Sequence, residues 1–242
     1  MSKSLGNVVD PLGLIEEYGV DPVRYYLMRE MVLGQDASFT MESFIKRYNS
    51  DLANDFGNLL SRVSNLLKKF YDGKVPSMED DSLDGISVKE NGIKVISDVW
   101  NQIESMRVNE AIETTLQFVR SVNKYMETMA PWKLAKSDPD MGSKVLFTAA
   151  EALRLSAVLL APVMPHRTQT VLDTLAAIGT RLEWGGLVPG AVLKPHGPLF
   201  PRIDVKKLEK ELAVSLFDRV TRPIRLTLAG QSIYCLLYTS PS

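Results

Sequence analysis

The sequence predicts an all-α fold. Three observations lead to that reading. Apolar residues recur at steps of three and four through most of the chain between residues 41 and 160, the spacing of one buried helix face. No alternation of apolar and polar residues persists for more than a few positions, which argues against strands. Asp-Pro pairs recur at Asp10-Pro11 and Asp21-Pro22, each with an acidic cap followed by a proline suited to the first helical turn.

Taken in order, Asp10-Pro11 opens a short helix that Gly19 stops, and Asp21-Pro22 opens a second one running to about Met31. A turn-rich stretch, Gly34 to Ser38, precedes Thr40, a candidate cap. From Met41 to Phe70 the residues Phe44, Ile45, Tyr48, Leu52, Phe56, Leu59, Leu60, Val63, Leu66, Leu67 and Phe70 form one apolar stripe. They predict one long amphipathic helix, or two placed end to end, closed by Asp72-Gly73. A second stripe at the same period is polar: Asp51, Asp55, Asn58, Arg62, Asn65 and Lys69. Residues 75 to 92, rich in Asp, Ser, Glu and Gly, read as a surface connection.

Three further helices follow. Ile93 to Met106 places Ile96, Val99, Trp100 and Ile103 on one face, which assigns Trp100 to the core. Asn109 to about Met129 carries Ile112, Leu116, Val119 and Met126. Lys144 to Leu160 becomes apolar all round, as a central buried helix does. Pro162 and Pro165 break the chain before a short helix over 167–177, and the stretch from Gly185 to Pro201, with four glycines and four prolines, forms no regular element. Residues 205–217 could add a helix. Residues 221–242 show no usable period, and their ending Cys-Leu-Leu-Tyr-Thr-Ser-Pro-Ser reads as unrelated to the rest.

Composition excludes several classes of function. The 242 residues carry a net charge of −1, so no global basic field advertises a nucleic-acid partner and any RNA contact must be local. One cysteine, Cys235, excludes an intrachain disulfide and a cysteine metal cluster, and the lone histidines His166 and His196 match no ligand spacing. No metal site is expected. The longest apolar run, Ala157 to Met164, falls far short of the roughly 20 residues of a membrane span, and a reducing aqueous compartment follows as the default.

Two groups of residues carry chemistry. Met1-Ser2-Lys3-Ser4-Leu5-Gly6-Asn7 is a small polar loop in which one lysine, two hydroxyls and backbone N–H groups suit a phosphate. Asn58 and Arg62, four apart, are neighbours on the polar stripe and combine an amide with a fork of donors. Trp132, in Ala130-Pro131-Trp132-Lys133-Leu134-Ala135-Lys136, offers a plate on which an unpaired base can stack. Separately, Asn58 and Arg62 would read as a solvated face and Trp132 as a core or cap aromatic.

The run Met-Ser-Lys-Ser-Leu-Gly-Asn-Val-Val-Asp-Pro, followed by Ile-Glu-Glu-Tyr-Gly-Val-Asp-Pro-Val-Arg-Tyr-Tyr, resembles the ATP-site loop of class I aminoacyl-tRNA synthetases. Asn54-Asp55-Phe56-Gly57-Asn58-Leu59-Leu60-Ser61-Arg62 and Ala130 to Lys136 resemble the anticodon-reading segments of the methionyl-tRNA synthetase family, and the resemblance extends over about Met1 to Asp204. It implies that Met1, Ser2, Lys3 and Ser4 belong to the ATP loop, with Lys3 stabilising charge on the ATP phosphates as the catalytic lysine. It also implies that Asn58, Arg62 and Trp132 contact the CAU anticodon, chiefly its cytosine. The lysine that precedes the methionine in the family loop is missing, so the chain reads as cut within the motif.

The expected organisation is the end of a class I catalytic domain over residues 1–38, a helical anticodon-binding domain over 39–204 and a C-terminal tail over 205–242. The expected partners are tRNA for methionine, with ATP and methionine as substrates of the whole enzyme, no membrane, and a cytoplasmic location or an organelle interior. The chain alone is expected to be inactive. Two rivals are a synthetase of the valine, isoleucine and leucine group, which shares the opening loop, and a non-catalytic helical tRNA-binding module.

Overall fold

The computed structural model describes residues 11–37, 39–77 and 83–204, together with the backbone of 217–218 and 225–226. Its helices are α1 (Pro11–Tyr18), α2 (Val20–Glu30), α3 (Met41–Arg47), a π-helical segment (Tyr48–Gly57), α4 (Asn58–Phe70), α5 (Leu83–Glu104), α6 (Val108–Met129), α7 (Pro131–Ser137), α8 (Pro139–Leu160) and α9 (Pro165–Thr174). A two-residue antiparallel pair joins Phe217–Asp218 to Arg225–Leu226. The fold is helical, as the periodicity predicts. The residues expected to form the ATP loop, Met1 to Ser4 with Lys3, lie outside the described residues, as does Asp10, the expected first cap.

Gly19, at φ 87°, ends α1 and stands as the N-cap of α2, a left-handed position that suits glycine. Asp21 does not cap α2 as its pairing with Pro22 suggests. It sits inside the first turn, 2% exposed, and reaches across to α9, where its carboxylate accepts from Arg167 N at 2.6 Å and lies 3.1 Å from His166 Nδ1. Asp21 therefore caps a helix 145 residues away, through space. Arg24 strengthens the same joint by donating to the Val163 and Pro162 carbonyls. Thr40 caps α3 as expected, its hydroxyl accepting from Ser43 N at 3.1 Å.

The long 41–70 run is helical throughout, but its middle is wound as a π-helix from Tyr48 to Gly57. A Cβ placed on Gly57 would come within 3.0 Å of the Leu52 carbonyl oxygen, so the wide turn suits a glycine there. Asp51, 2% exposed, faces inward from this segment and accepts from Tyr25 Oη at 2.7 Å and Arg120 Nη2 at 3.2 Å. Burial first, then the neighbouring Asp51 charge and hydrogen bond, hold the Tyr25 phenol well above its ordinary value, so it stays a donor.

Two expectations fail around α5. The helix begins at Leu83, ten residues before the predicted start, and Gly92 lies within it. The reason is packing: a Cβ at Gly92 would stand 3.0 Å from Trp184 and 3.1 Å from Phe118, so the glycine allows close approach and marks no turn. Trp100 is 58% exposed and not in the core; Val95 and Val99 supply the inner face. Trp100 and Ile103 share the helical period with Ile96, but they lie on its outer side, where the Trp100 indole donates to Glu104 at 2.9 Å.

The central helix is α8. Asp138 caps it by accepting from Met141 N at 3.1 Å, Pro139 fills its first position, and nearly every side chain from Val145 to Leu160 is buried. Around it α4, α5, α6, α7 and α9 enclose one core, which Leu14, Val23, Tyr25 and Tyr26 of α1 and α2 join. The irregular stretch after α9 returns across the bundle: Val75 N donates to Ala191 O and Ile203 is held by Asn49.

Candidate nucleic-acid interface

Asn58, Arg62 and Trp132 converge on one surface. Asn58 is the first residue of α4 and exposed, and Arg62 follows one turn later with its side chain 21% exposed. Trp132 reaches the same place from another element. Met129 ends α6, Ala130 takes a left-handed backbone at φ 45°, and Pro131 starts α7 at once, turning Trp132 back toward α4. The Arg62 guanidinium then lies over the Trp132 ring, 5.8 Å from its centroid, with 37% of the tryptophan exposed.

Arg62 is held through a single nitrogen. Its Nη1 lies 3.4 Å from Asn123 Oδ1, 3.5 Å from Asn123 O and 3.5 Å from Glu127 Oε1 of α6, all long contacts. Nε and Nη2 find no partner among the described residues. Asn123 in turn donates to the Asp55 carbonyl at 3.1 Å, so α6 ties the arginine to the π-helical segment that precedes it. Asn123 carries no motif that marks it in the sequence, and only the packing of α6 beside α4 reveals its role.

Behind this face stands an ion-pair network. Arg120 donates to Asp55 at 2.7 Å, Glu113 at 3.0 Å and Asp51 at 3.2 Å, while Arg29 of α2 reaches Glu113 at 2.5 Å. Burial raises the Asp55 carboxyl above its ordinary value, against the lowering influence of the Arg120 hydrogen bond and charge. Glu113 moves the other way: burial pushes it up, but the Gln117 hydrogen bond and the Arg29 and Arg120 charges outweigh burial and lower it. These pairs lock α2, the π-helical segment and α6 together, which fixes where α4 starts and hence where Asn58 stands.

The arrangement presents an aromatic plate, and a guanidinium with free donors and an amide without a partner among the described residues, on rigid helices. Such a set matches the face and edge of an unpaired base. The described residues contain no group of three or more His, Cys, Asp or Glu placed to hold a metal, and no helix among them is long and apolar enough to cross a membrane.

Comparison with known proteins agrees with the motifs. The family described as tRNA synthetases class I (M) matches residues 1–64, and the anticodon binding domain of methionyl tRNA ligase matches residues 84–205. A methionine–tRNA ligase of Caldanaerobacter subterraneus subsp. tengcongensis is 40% identical over 223 residues, covering 88% of this chain and 34% of that protein. One from Bacillus subtilis is 40% identical over 228 residues, covering 88% and 33%. The crystal structure of Mycobacterium tuberculosis methionyl-tRNA synthetase bound by methionyl-adenylate aligns with a TM-score of 0.78 at 33% identity, over 83% of this chain and 41% of that one. The chain thus spans about a third of the length of the curated relatives it matches. With a helical bundle of matching shape, and a domain match over half its length, the chain belongs to the methionine–tRNA ligase family.

Proposed function

We propose that this chain is the tRNA-reading part of an enzyme that joins methionine to its tRNA with ATP, and that Asn58, Arg62 and Trp132 recognise the cytosine of a CAU anticodon. The observation that carries the reading is the Arg62 guanidinium packed over Trp132 one helical turn from an exposed Asn58 whose side chain has no partner among the described residues. In the parent enzyme Lys3, with Met1, Ser2 and Ser4, would contact the ATP phosphates while the adenylate forms. A lysine suits that role because it places a positive charge where phosphate charge is displaced.

The chemistry follows from the donor and acceptor pattern. A cytosine splayed out of its loop presents a 4-amino donor beside ring nitrogen and carbonyl acceptors. The Asn58 amide oxygen accepts from the amino group, and the Arg62 donors Nε and Nη2 meet the acceptors. Trp132 supports the base by stacking, worth about 1–3 kcal/mol. Because Arg62 is already seated between Trp132 and Asn123, little side-chain freedom is lost on binding. Uracil reverses the amino position to a carbonyl and the ring nitrogen to a donor, which leaves Asn58 and Arg62 facing like groups.

The test compares stem-loops carrying CAU and UAU at fixed salt, for the native chain and for Arg62→Lys. The native chain is expected to prefer CAU by roughly five- to 150-fold, and the lysine variant, which keeps the charge but loses the fork, to narrow that preference. Equal affinities for the two loops in the native chain would defeat the assignment.

A further inference from the structure

Helix α5 packs on α6 and α8 with Val95 and Val99 inward and leaves an apolar stripe on its outer side. Ile93 is 51% exposed, Trp100 58% and Ile103 43%. With Lys89 and Ile96 they recur in steps of four and three, the 3.5-residue repeat of a helix that pairs with another helix. Beside the stripe runs a groove of about 570 Å³, with Leu182, Glu183 and Trp184 as its other wall. We propose that this face receives a second copy of the chain, the two α5 helices packing antiparallel about a two-fold axis at Ile96 and Ser97.

The face is held in shape by the chain's own bonds. Arg154 ties down the far wall by donating to the carbonyls of Arg181 and Glu183, on either side of Leu182. Trp184 packs on α5 at Gly92, where a Cβ would stand 3.0 Å from the indole. The Trp100 indole donates to Glu104 at 2.9 Å, so its ring is already placed although more than half of it meets solvent. A large aromatic fixed in advance loses little freedom on docking, and tryptophan is among the residues that dominate protein interfaces.

The choice of a second copy follows from where the charges stand. Lys89 lies at one end of the stripe and Glu104 at the other. The midpoint between them falls between Ile96 and Ser97, and so does the midpoint between Ile93 and Trp100. A two-fold axis there meets both conditions at once. Lys89 of each copy faces Glu104 of the other, and Ile93 of each copy faces Trp100 of the other. In a two-fold interface every such contact is made twice. A parallel pairing of the same helices would instead set lysine against lysine and glutamate against glutamate. Trp100 of the second copy also covers Ile93 and the groove beside it, which removes the apolar patch from water. None of these residues belongs to the Asn58, Arg62 and Trp132 face, so pairing and RNA binding stand or fall separately.

Sedimentation equilibrium of the chain over about 1 to 500 µM tests the pairing, with helicity recorded for every variant. The native chain should pass from monomer to dimer within that range. Trp100→Ala should weaken the dimer about 30-fold or more, with helicity kept because the ring is exposed. Lys89→Glu and Glu104→Lys each bring like charges together twice and should each weaken it about ten-fold. An equimolar mixture of those two variants should restore association, since the altered chains complement each other at both ends. Lys89 and Glu104 lie about 22 Å apart along one helix, so such a rescue acts only between chains. A native chain that stays monomeric throughout, whether residues 205–217 or another protein covers the face, would overturn the proposal. So would a dimer that Trp100→Ala leaves intact, or a mixture that associates no better than either variant alone.

Discussion

Glu151 and Arg154, one turn apart on α8 and both fully buried, form an ion pair that holds the chain after α9 against the bundle. The Glu151 carboxylate accepts from Arg154 Nε at 2.9 Å and from the backbone N–H groups of Gly185, Gly186 and Leu187 at 2.8, 2.9 and 3.0 Å. Arg154 donates onward to the carbonyls of Arg181 and Glu183 at 2.7 and 2.5 Å. A pair buried this deeply persists because backbone groups partner both ends, three N–H groups on the carboxylate and two carbonyls on the guanidinium. Glu151→Gln leaves the guanidinium without a counter-charge and is expected to cost about 3–5 kcal/mol, read as a fall in the urea midpoint at unchanged slope.

Gly186 is the tightest point of that clamp. A Cβ there would lie 2.6 Å from Arg154 Cζ and 2.8 Å from Arg154 Nε. Arginine side chains ordinarily move aside, but this one is held by Glu151, Arg181 and Glu183 at once. Gly186→Ala should therefore destabilise by about 1–3 kcal/mol, the cost of overpacking a closed site, seen as a lower melting temperature. A variant as stable as the native chain would show that Arg154 is free to shift.

Trp132→Ala separates binding from folding. The ring is 37% exposed and rests on Arg62 rather than in the main core. Removing it should lower affinity for a CAU stem-loop by roughly five- to 150-fold, corresponding to one stacking platform of about 1–3 kcal/mol. Helicity by circular dichroism and the thermal midpoint should stay close to the native values. A collapse of both would make Trp132 a packing residue.

The network behind the face of Asn58, Arg62 and Trp132 has a pH signature. Glu113 is lowered from 4.5 in the folded chain, so its stabilisation is fully present above that value and is lost as pH falls through the lowered one. Asp55, raised from 3.8 chiefly by burial, works in the opposite sense: its contribution to stability declines as pH rises from 3.8 through its raised value. Glu113→Gln should cost about 1 kcal/mol at pH 7, a modest figure because both arginine partners meet solvent. That cost should shrink at a second, more acid pH, since it is lost as pH falls through the lowered value of the native carboxyl. Urea titrations of the two proteins at both pH values check this, and a cost independent of pH would show that Glu113 acts by packing alone.

By itself the sequence determined the helical class and the places of α2, α4, α6 and α8, because a helix that buries one face writes its period into the residues. It also named Asn58, Arg62 and Trp132, since the local run of residues around each is distinctive. What it left undecided depends on which elements meet. Trp100 has the period of a core residue, yet period fixes only a shared face, and the packing of α6 and α8 against Val95 and Val99 turned Trp100 outward. Gly92 reads as a break until Trp184 and Phe118 are seen pressing on it. Asp21 looks like a local cap and instead caps α9, a choice that no neighbouring residue encodes. In the same way Asn123 comes to the face of Arg62 and Trp132 from 61 residues beyond Arg62, and only chain packing could place it there.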